Sequence, residues 1–450
     1  MIDFRRFSFV AVFALAACSA NTLVPERSGV PSTVRRAASK GPIKHVIFIV
    51  QENRSFNNIF MGYPRATTQN YGYDTHGRKI ALHAQSFKEG WDISHNAPSY
   101  FQACDGQGSL PGTDCKNDGW NLLNGGFKAP KNFAYAYLPR QEVDVYWKMA
   151  QQYVLADDMF ASNLDGSFIA HQYIVAAYAS QAVNSPFSLW GCEGGKPDKI
   201  QTLTAQRSYG QYIPACFDNP TIGSEADSAR ISWRFYSGSI TGDGGLWSSY
   251  QADSQIFNGP DWKSDVINPP SQFLTDIGNG QLADVTWITP TYETSDHAGE
   301  DSTLGPPWVA SLVDAVGASK FWNSSAIFLI WDDWGGWFDP VKPVFEDYDG
   351  LGYRIPLIII SPYAKKGRVT HVQYETASVL RFMEDDFSLP PMAAADARAN
   401  DPAADPAAFD YSQKPRVFQK FKGSRSSAFW AARERAARLH PIQTRFIGDD

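Results

Sequence analysis

The 450-residue chain carries the segment HVIFIVQ at residues 45–51, whose five central residues are all β-branched or aromatic. A continuous apolar run of this kind is typical of a strand that is buried on both faces of a parallel sheet, because a half-exposed strand would alternate apolar and polar residues. Four further runs of similar composition predict further strands: YVLAD at 153–157, DVTWIT at 284–289, AIFLIW at 326–331 and PLIIIS at 356–361.

Helical patterns lie between these runs. Apolar residues recur three and four positions apart within 143–150, 309–316 and 377–384, and a further helical stretch is predicted for 168–180. Strands that alternate with helices indicate an α/β fold, here a three-layer sandwich with a mostly parallel central sheet and helices on both faces. In such a fold the functional site lies beyond the carboxyl ends of the strands.

Long segments without periodicity interrupt this pattern. Residues 62–130 and 184–280 are rich in Gly, Asn and Tyr, and we predict that they are insertions that shape the mouth of a pocket. Residues 393–410 are rich in Ala, Asp and Pro and predict a low-complexity loop. A basic helix at 424–439 is predicted near the end of the chain, within a C-terminal helix and tail at 423–450.

The N-terminus predicts export. Two arginines precede an apolar run at 7–17, which is too short to span a bilayer and fits a signal peptide at 1–17. The run ends in Leu-Ala-Ala before Cys18, which resembles the bacterial lipobox, where the cysteine is lipidated; the alternative is an ordinary cleavage site. We therefore expect a periplasmic or outer-membrane lipoprotein whose only membrane contact is Cys18, followed by a tether at 18–40, or a secreted protein if Cys18 is not lipidated.

Cysteine spacing predicts two disulfides. Besides Cys18 the chain has four cysteines, which allow three pairings. We favour Cys104–Cys115 and Cys192–Cys216, because each bond would close a loop rich in Gly and Pro. Four free thiols would be unusual in an oxidising compartment.

The charge balance narrows the class of partner. Forty Lys and Arg stand against 47 Asp and Glu, which gives a net charge of −7. A nucleic-acid-binding surface needs a basic patch or stripe, so this composition argues against nucleic acid as a partner. The 14 Trp, 35 Gly and 28 Pro indicate a loop-rich protein with aromatic-lined surfaces.

Two clusters of oxygen donors follow two of the predicted strands. Glu52-Asn53 comes directly after 45–51, and Asp332-Asp333 comes directly after 326–331. Carboxylate and amide oxygens suit a divalent cation, which would also remove the repulsion between adjacent carboxylates. The alternatives are a solvated strand end for the first cluster and a turn or helix N-cap for the second.

Ser167 and His297 each allow more than one interpretation. Ser167 follows Asp165-Gly166 at a predicted helix start, where a serine can cap the helix or act as a nucleophile beside the N–H groups of the first turn. Spacing alone favours the cap. His297 lies in a polar loop after 284–289 and could be a ligand, an acid or base, or a solvated side chain, and alone the solvated interpretation is preferred.

Five segments together resemble the bacterial phosphoesterase family, which holds phosphatidylcholine-type phospholipases C and acid phosphatases and is similar in core fold to the alkaline phosphatases. The resemblance covers residues from about 41 to about 390, within a predicted phosphoesterase catalytic domain at 41–422. Its most specific element is Glu-Asn-Arg-Ser-Phe at 52–56 after an apolar strand. The matching segments are 43–56, 165–173, 295–297, 332–339 and 354–362.

The resemblance implies a role for each matching residue. Ser167 would contact one divalent metal ion, which would lower the pKa of its hydroxyl. The hydroxyl would then attack phosphorus and form a phosphoserine. His297 would bind phosphate or protonate the leaving oxygen, and His95 matches the family's Asp-x-x-His. His171 lies one helical turn after Ser167 and can face the same pocket. The implied metal ligands are Glu52, Asn53, Ser167, Asp332 and Asp333.

The chain departs from the family pattern at three positions. Asn57 stands where the family often has Asp, Trp334 where it often has His, and Pro340 where it usually has His. The implied metal ligands all remain, so a metal site is still expected. The departures predict reduced activity or a shifted substrate range, and a catalytically silent descendant is the alternative.

The sequence therefore predicts a hydrolase that acts on a small phosphate ester or a phospholipid. The preferred function is that of a metal-dependent phosphomonoesterase, an acid phosphatase, because no long extra domain follows the core. The alternatives are a phospholipase C and, in another class, a non-catalytic surface lipoprotein that binds glycan or lipid. Aromatic residues of the insertions could line the entry for a lipid or pack as loop core: Trp91, Tyr100, Phe101, Trp120 and Trp190.

Overall fold

A computed structural model describes residues 39–126, 128–187, 190–242, 244–299 and 301–439. The predicted signal peptide, Cys18 and all of the tether except its last two residues lie outside these ranges. None of the helices within them is long and apolar enough to cross a membrane.

The central sheet has eight strands in the order β4-β3-β5-β1-β6-β7-β2-β8. The strands are β1 (His45–Gln51), β2 (Val154–Ala156), β3 (Trp233–Tyr236), β4 (Val266–Ile267), β5 (Val285–Ile288), β6 (Ser325–Trp331), β7 (Leu357–Ile360) and β8 (Arg368–Thr370). All neighbouring strands are parallel except at β7, which runs antiparallel to both β6 and β2. The predicted mostly parallel α/β architecture is confirmed, and the five apolar runs supply β1, β2, β5, β6 and β7.

Burial of the strands shows that both faces of the sheet are covered. Every residue of β6 is buried, and so is every residue of β1 after His45. Consecutive residues of a strand point to opposite faces, so layers on both sides are needed to exclude water from all of them. Continuous apolar composition is therefore the expected consequence of this position.

Twelve α-helices connect and cover the strands within the described residues. They are α1 (Phe56–Phe60), α2 (Ala97–Cys104), α3 (Asp144–Gln152), α4 (Ser167–Ala176), α5 (Ile222–Ala229), α6 (Ser254–Asn258), α7 (Asp261–Ser264), α8 (Gln272–Gly278), α9 (Gly305–Gly317), α10 (Thr376–Phe387), α11 (Ala394–Arg398) and α12 (Ser427–Leu439). The four helical patterns of the core correspond to α3, α4, α9 and α10. The predicted stretch at 168–180 is too long, because Ala177 adopts a left-handed conformation (φ 51°) that ends α4.

The two insertions are folded around the sheet rather than apart from it. Residues 184–280 add β3 and β4 to the central sheet, which the sequence did not reveal because these strands are only four and two residues long. Small sheets pair Tyr71–Tyr73 with Lys79–Ala81, His83–Ala84 with Ala136–Tyr137, Met159–Phe160 with Tyr374–Glu375, and Lys199–Leu203 with both Ala182–Val183 and Tyr209–Pro214.

The prediction of a low-complexity loop at 393–410 is wrong. The segment contains α11 and a 3-10 turn at Pro402–Ala404. Asp405 accepts hydrogen bonds from Thr370 and Tyr374, so a buried carboxylate ties the segment to the core.

Both predicted disulfides, Cys104–Cys115 and Cys192–Cys216, are confirmed.

A buried ion pair holds the segment between β6 and β7. Arg354 donates from Nε and Nη2 to the two carboxylate oxygens of Asp339 at 2.8 and 3.1 Å, and both side chains are fully buried. The guanidinium also lies 4.7 Å from the ring of Phe56 at the start of α1. Asp339 is the aspartate of the Asp-Pro-Val segment, in which Pro340 replaces the usual histidine of the family. The structural partner of its carboxylate is Arg354.

Arg354→Leu is expected to lower the free energy of unfolding by about 3–5 kcal/mol, because the change leaves the Asp339 carboxylate buried without its cation. Chemical denaturation measures the loss. Arg381→Leu is the matched control, since its pair with Asp385 is partly exposed and such pairs contribute about 0–1 kcal/mol. Equal losses in the two variants would contradict the structural role of Arg354.

Candidate active site

The ends of β1 and β6 meet at one edge of the sheet. Gln51 pairs with Trp331, so the chain leaves both strands at the same level, into Glu52-Asn53 and Asp332-Asp333. The Asn53 backbone N–H donates to Asp332 Oδ1 at 2.8 Å, and Asn53 adopts a left-handed conformation (φ 59°). Gly335 packs against it so closely that a Cβ would lie 2.0 Å from the Asn53 carbonyl oxygen. Only glycine fits there, and the two polar clusters are locked against each other.

Ser167 is the first residue of α4, and its hydroxyl points into this cluster. The hydroxyl donates to Asn53 Oδ1 at 3.0 Å and lies 3.3 Å from Asp333 Oδ2. The helix N-cap is Gly166, which makes no side-chain capping bond. The interpretation of Ser167 as the helix cap is therefore wrong.

Asp165 organises the turn that presents Ser167. Its Oδ1 accepts hydrogen bonds from the backbone N–H groups of Ala97 and Gly166, both at 2.9 Å, and its Oδ2 accepts one from Asn184. Burial raises the pKa of Asp165 to about 6, against the lowering effect of these hydrogen bonds. Both insertions are thus anchored at the turn that carries the serine, through α2 and the chain after Ala182–Val183.

His171, Glu52 and Asp332 form a buried group that could hold a metal ion. His171 Nε2 lies 3.1 Å from Glu52 Oε1 and 3.8 Å from Asp332 Oδ2, and one ligand atom of each residue lies within 4.8 Å of the others. Asp332 Oδ2 is buried without a hydrogen-bond partner, which is costly unless a cation or a donor occupies the site. Two carboxylates and an imidazole are donors that divalent metals accept, so the residues fit such an ion.

The predicted ligands thus divide into two adjoining parts. Glu52 and Asp332 belong to the group with His171, whereas Asn53, Ser167 and Asp333 are joined by hydrogen bonds beside it. His171 was expected only to face the pocket. The available signal was its four-residue spacing from Ser167, which puts both side chains on one face of α4.

His95 lies against the same cluster. Its Nδ1 lies 2.6 Å from the Ile93 carbonyl oxygen and so carries the proton that is donated there, while Nε2 accepts a hydrogen bond from Asn53 Nδ2 at 2.9 Å. Nε2 also lies 3.7 Å from Asp333 Oδ2. The structure therefore brings His95, which the sequence placed by resemblance alone, into contact with two of the implied ligands.

His297 completes the group of histidines. Its ring centre lies 6.4 Å from that of His95, and its Nδ1 lies 3.0 Å from the Tyr292 hydroxyl and 3.7 Å from Asp92 Oδ2. The side chain is only 1 % exposed, so the interpretation of His297 as a solvated loop residue is wrong. The sequence could not show this, because the burial comes from residues far along the chain.

Asp296 ties the His297 loop to three other parts of the site. Its Oδ2 accepts hydrogen bonds from the Tyr146 hydroxyl at 2.6 Å and from Trp331 Nε1 at 3.1 Å, and its carbonyl oxygen accepts one from Arg54 Nε at 2.8 Å. Burial raises the pKa of this carboxyl to about 7, although the hydrogen bonds from Tyr146 and Trp331 and the charge of Arg54 favour the charged form. Sequence analysis missed Asp296 as a structural centre, although it directly precedes His297.

Two of the three residues that depart from the family pattern, Asn57 and Trp334, take structural positions. Trp334 is fully buried and packs against Tyr353, with ring centres 4.9 Å apart. Asn57 accepts a hydrogen bond from the backbone N–H of Gln69 at 2.9 Å, and its own N–H donates to Asp339 Oδ2. These contacts stabilise the fold and leave the polar cluster at the strand ends intact.

The least buried part of the site lies beside Asp92, whose side chain is 19 % exposed. Trp91 is half-buried there, and its ring centre lies 5.6 Å from Trp337 and 5.8 Å from Phe133. Of the five aromatic residues suggested for an entry, Tyr100 and Trp120 are core residues at 1 % exposure. Trp91 is the one that lies next to Asp92.

Comparison with known proteins finds a family model, related proteins and solved structures that match this chain. The model of the family described as Phosphoesterase family matches residues 43–390. Phospholipase C B of Mycobacterium tuberculosis (strain H37Rv) is 23 % identical over 437 residues, which cover 79 % of this chain and 77 % of that protein. Hemolytic phospholipase C of Pseudomonas aeruginosa is 24 % identical over 464 residues, which cover 86 % of this chain and 59 % of that protein. Among solved structures, a protein in the alkaline phosphatase superfamily from Vibrio parahaemolyticus has a TM-score of 0.37 at 10 % identity and covers 82 % of this chain and 71 % of its own.

Asp296 is expected to make stability depend on pH. Its folded pKa of about 7 exceeds the unfolded value of 3.8, so the native state binds the extra proton and stability falls as the pH rises from about 4 to about 7. The free energy of unfolding is expected to fall by up to about 4 kcal/mol over this range, since each pKa unit corresponds to about 1.4 kcal/mol. Asp296→Asn should remove this part of the dependence, which denaturation between pH 4 and 8 in the presence of a chelator would measure. Parallel curves for the two proteins would contradict the assignment.

Proposed function

The chain belongs to the phosphoesterase family and is a hydrolase of phosphoric ester bonds, and we propose that within this family it is a metal-dependent phospholipase C that acts through Ser167. The observation that carries the proposal is the convergence of the Ser167 hydroxyl, Asn53 and Asp333 with the Glu52–His171–Asp332 group at the edge of the sheet. Two relatives that match over most of this chain are named phospholipases C.

The residues can perform the reaction in two steps. Ser167 Oγ attacks phosphorus while Asp333 Oδ2, 3.3 Å away, accepts its proton, and the bond from phosphorus to the leaving oxygen breaks. His297 gives the leaving oxygen a proton. Water then gives a proton to His297 and attacks the phosphoserine, the bond from phosphorus to Ser167 Oγ breaks, and Asp333 returns its proton to that oxygen. The N–H groups at the start of α4 stabilise the phosphoryl oxygens.

We propose that Glu52, His171 and Asp332 hold one divalent cation, with Asn53, Ser167 and Asp333 adjoining it. A cation bound there would lower the pKa of the attacking hydroxyl and neutralise charge on the phosphoryl group. His95 holds Asn53 through its Nε2 and so keeps the amide oxygen of Asn53 toward Ser167.

An acid phosphatase is the second candidate. The observation that favours it is the burial of the site, since Ser167, Asp332 and Asp333 are fully buried and a small monoester needs the least opening. The length of the chain does not separate the candidates, because it covers 77 % of a phospholipase C. A non-catalytic binding lipoprotein is disfavoured by the complete nucleophile and donor set. The two disulfides agree with the predicted export, which remains a prediction.

The substrate class is tested by comparing hydrolysis of p-nitrophenylphosphorylcholine and p-nitrophenyl phosphate. We expect the diester to be cleaved faster, a chelator to abolish the reaction and added divalent cation to restore it. Cleavage of the monoester alone would favour the acid phosphatase. Full activity in excess chelator would contradict the metal.

Ser167→Ala is expected to lower the rate by orders of magnitude with little change in melting temperature, because Ser167 makes no capping bond and each tenfold loss corresponds to about 1.4 kcal/mol of barrier. Ser55→Ala is the matched control. Ser55 caps α1 by accepting a hydrogen bond from the Asn58 N–H, so its removal should cost about 1 kcal/mol of stability and leave most of the activity. Near-full activity of Ser167→Ala would favour a water nucleophile instead.

A further inference from the structure

A short segment of the second insertion reaches two histidines of the site. Residues 245–252 form two 3-10 turns, Gly245–Trp247 and Ser249–Ala252. Ser249 Oγ lies 3.3 Å from His171 Nδ1, and the Trp247 ring lies 5.8 Å from the ring of His297. No motif in the sequence connects this segment with catalysis, and it lies about 80 residues after Ser167.

The chemistry of His171 determines what Ser249 must do. His171 Nε2 is the nitrogen that faces Glu52 and Asp332, so a cation bound to this group would need the lone pair on Nε2. The ring proton would then lie on Nδ1, which faces the Ser249 hydroxyl. Histidines that bind metals almost always donate their other N–H to a fixed acceptor, which sets both the tautomer and the ring orientation.

We infer that Ser249 is a positioning residue that accepts the Nδ1–H of His171 and thereby holds Nε2 toward Glu52 and Asp332. Ser249 touches neither the substrate nor the cation in this assignment. The inference rests on the proposed metal-dependent function and adds to it a residue from outside the segments of the family resemblance.

The surroundings of Ser249 hold its hydroxyl in place. The side chain is 2 % exposed, and Gln251 Nε2 donates to the carbonyl oxygens of Gly245 and Leu246 at 2.9 and 3.1 Å, which closes the double turn on itself. The Ala252 carbonyl oxygen accepts a hydrogen bond from the Phe217 N–H at 2.7 Å. Phe217 directly follows Cys216, so the disulfide to Cys192 restrains the same region.

The test is metal affinity, measured directly by calorimetric titration of the metal-free full-length protein with Mn²⁺ and, separately, Zn²⁺. Ser249→Ala is expected to weaken binding by about 10- to 100-fold, which is typical when such a hydrogen-bond partner is removed. The melting temperature of the metal-free variant should stay close to that of the wild type. Ser249→Thr keeps the hydroxyl and should restore most of the affinity.

Ser248→Ala is the matched control, because Ser248 is equally buried but accepts its hydrogen bond from Ser237 rather than from His171. It should bind Mn²⁺ and Zn²⁺ like the wild type. Equal affinity of Ser249→Ala and wild type would overturn the inference and leave the proposed function standing. Failure of the wild type to bind either ion would overturn the metal-dependent function itself, so the two failures are distinguishable.

Discussion

The pairing of β1 with β6 is the constraint on which the site depends. In a parallel pair, residues that are opposite in the ladder end their strands at the same edge, so Gln51 opposite Trp331 brings Glu52-Asn53 beside Asp332-Asp333. A shift of one residue in this register would turn every side chain of one strand to the other face of the sheet. Because both faces are buried, such a shift would move large apolar side chains into filled space, and the register is strongly specified.

This arrangement concentrates carboxylates where water is excluded. Glu52, Asp332 and Asp333 are fully buried, and the transfer of a charged carboxylate out of water costs free energy unless the carboxylate is paired or hydrogen-bonded. The chain offsets part of this cost with donors: the Asn53 N–H on Asp332 and the Gly335 N–H on Asp333. Asp332 Oδ2 has no hydrogen-bond partner, so the cost of burying this oxygen is not offset by a donor. A cation bound beside it would stabilise the folded state.

Two buried aspartates, Asp165 and Asp296, tie the loops of the candidate site to the rest of the protein. Asp165 anchors the serine turn to α2 and to the chain after Ala182–Val183, and Asp296 connects the His297 loop to α3 and to the last residue of β6. Where the family pattern has a histidine after the paired aspartates, this chain has Trp334 packed on Tyr353. The position thus serves an aromatic cluster that supports the loops, while the oxygen donors and the serine are unchanged.

The sequence alone predicted five of the eight strands of the central sheet, the polar clusters that follow two of them and, as the favoured pairing of the four cysteines, both disulfides. Continuous apolar runs and their boundaries are local signals, because a strand buried on both faces needs apolar residues at successive positions. Tertiary structure alone decided that β7 runs antiparallel, that 184–280 supplies two strands, that Ser167 points to Asn53 rather than capping its helix, and that His171 faces Glu52. Glu52 and His171 are 119 residues apart in the chain, and Ser249 follows His171 by another 78. Contacts between residues so far apart in the chain depend on which elements lie side by side after folding. The local periodicity of a sequence does not predict which elements these are.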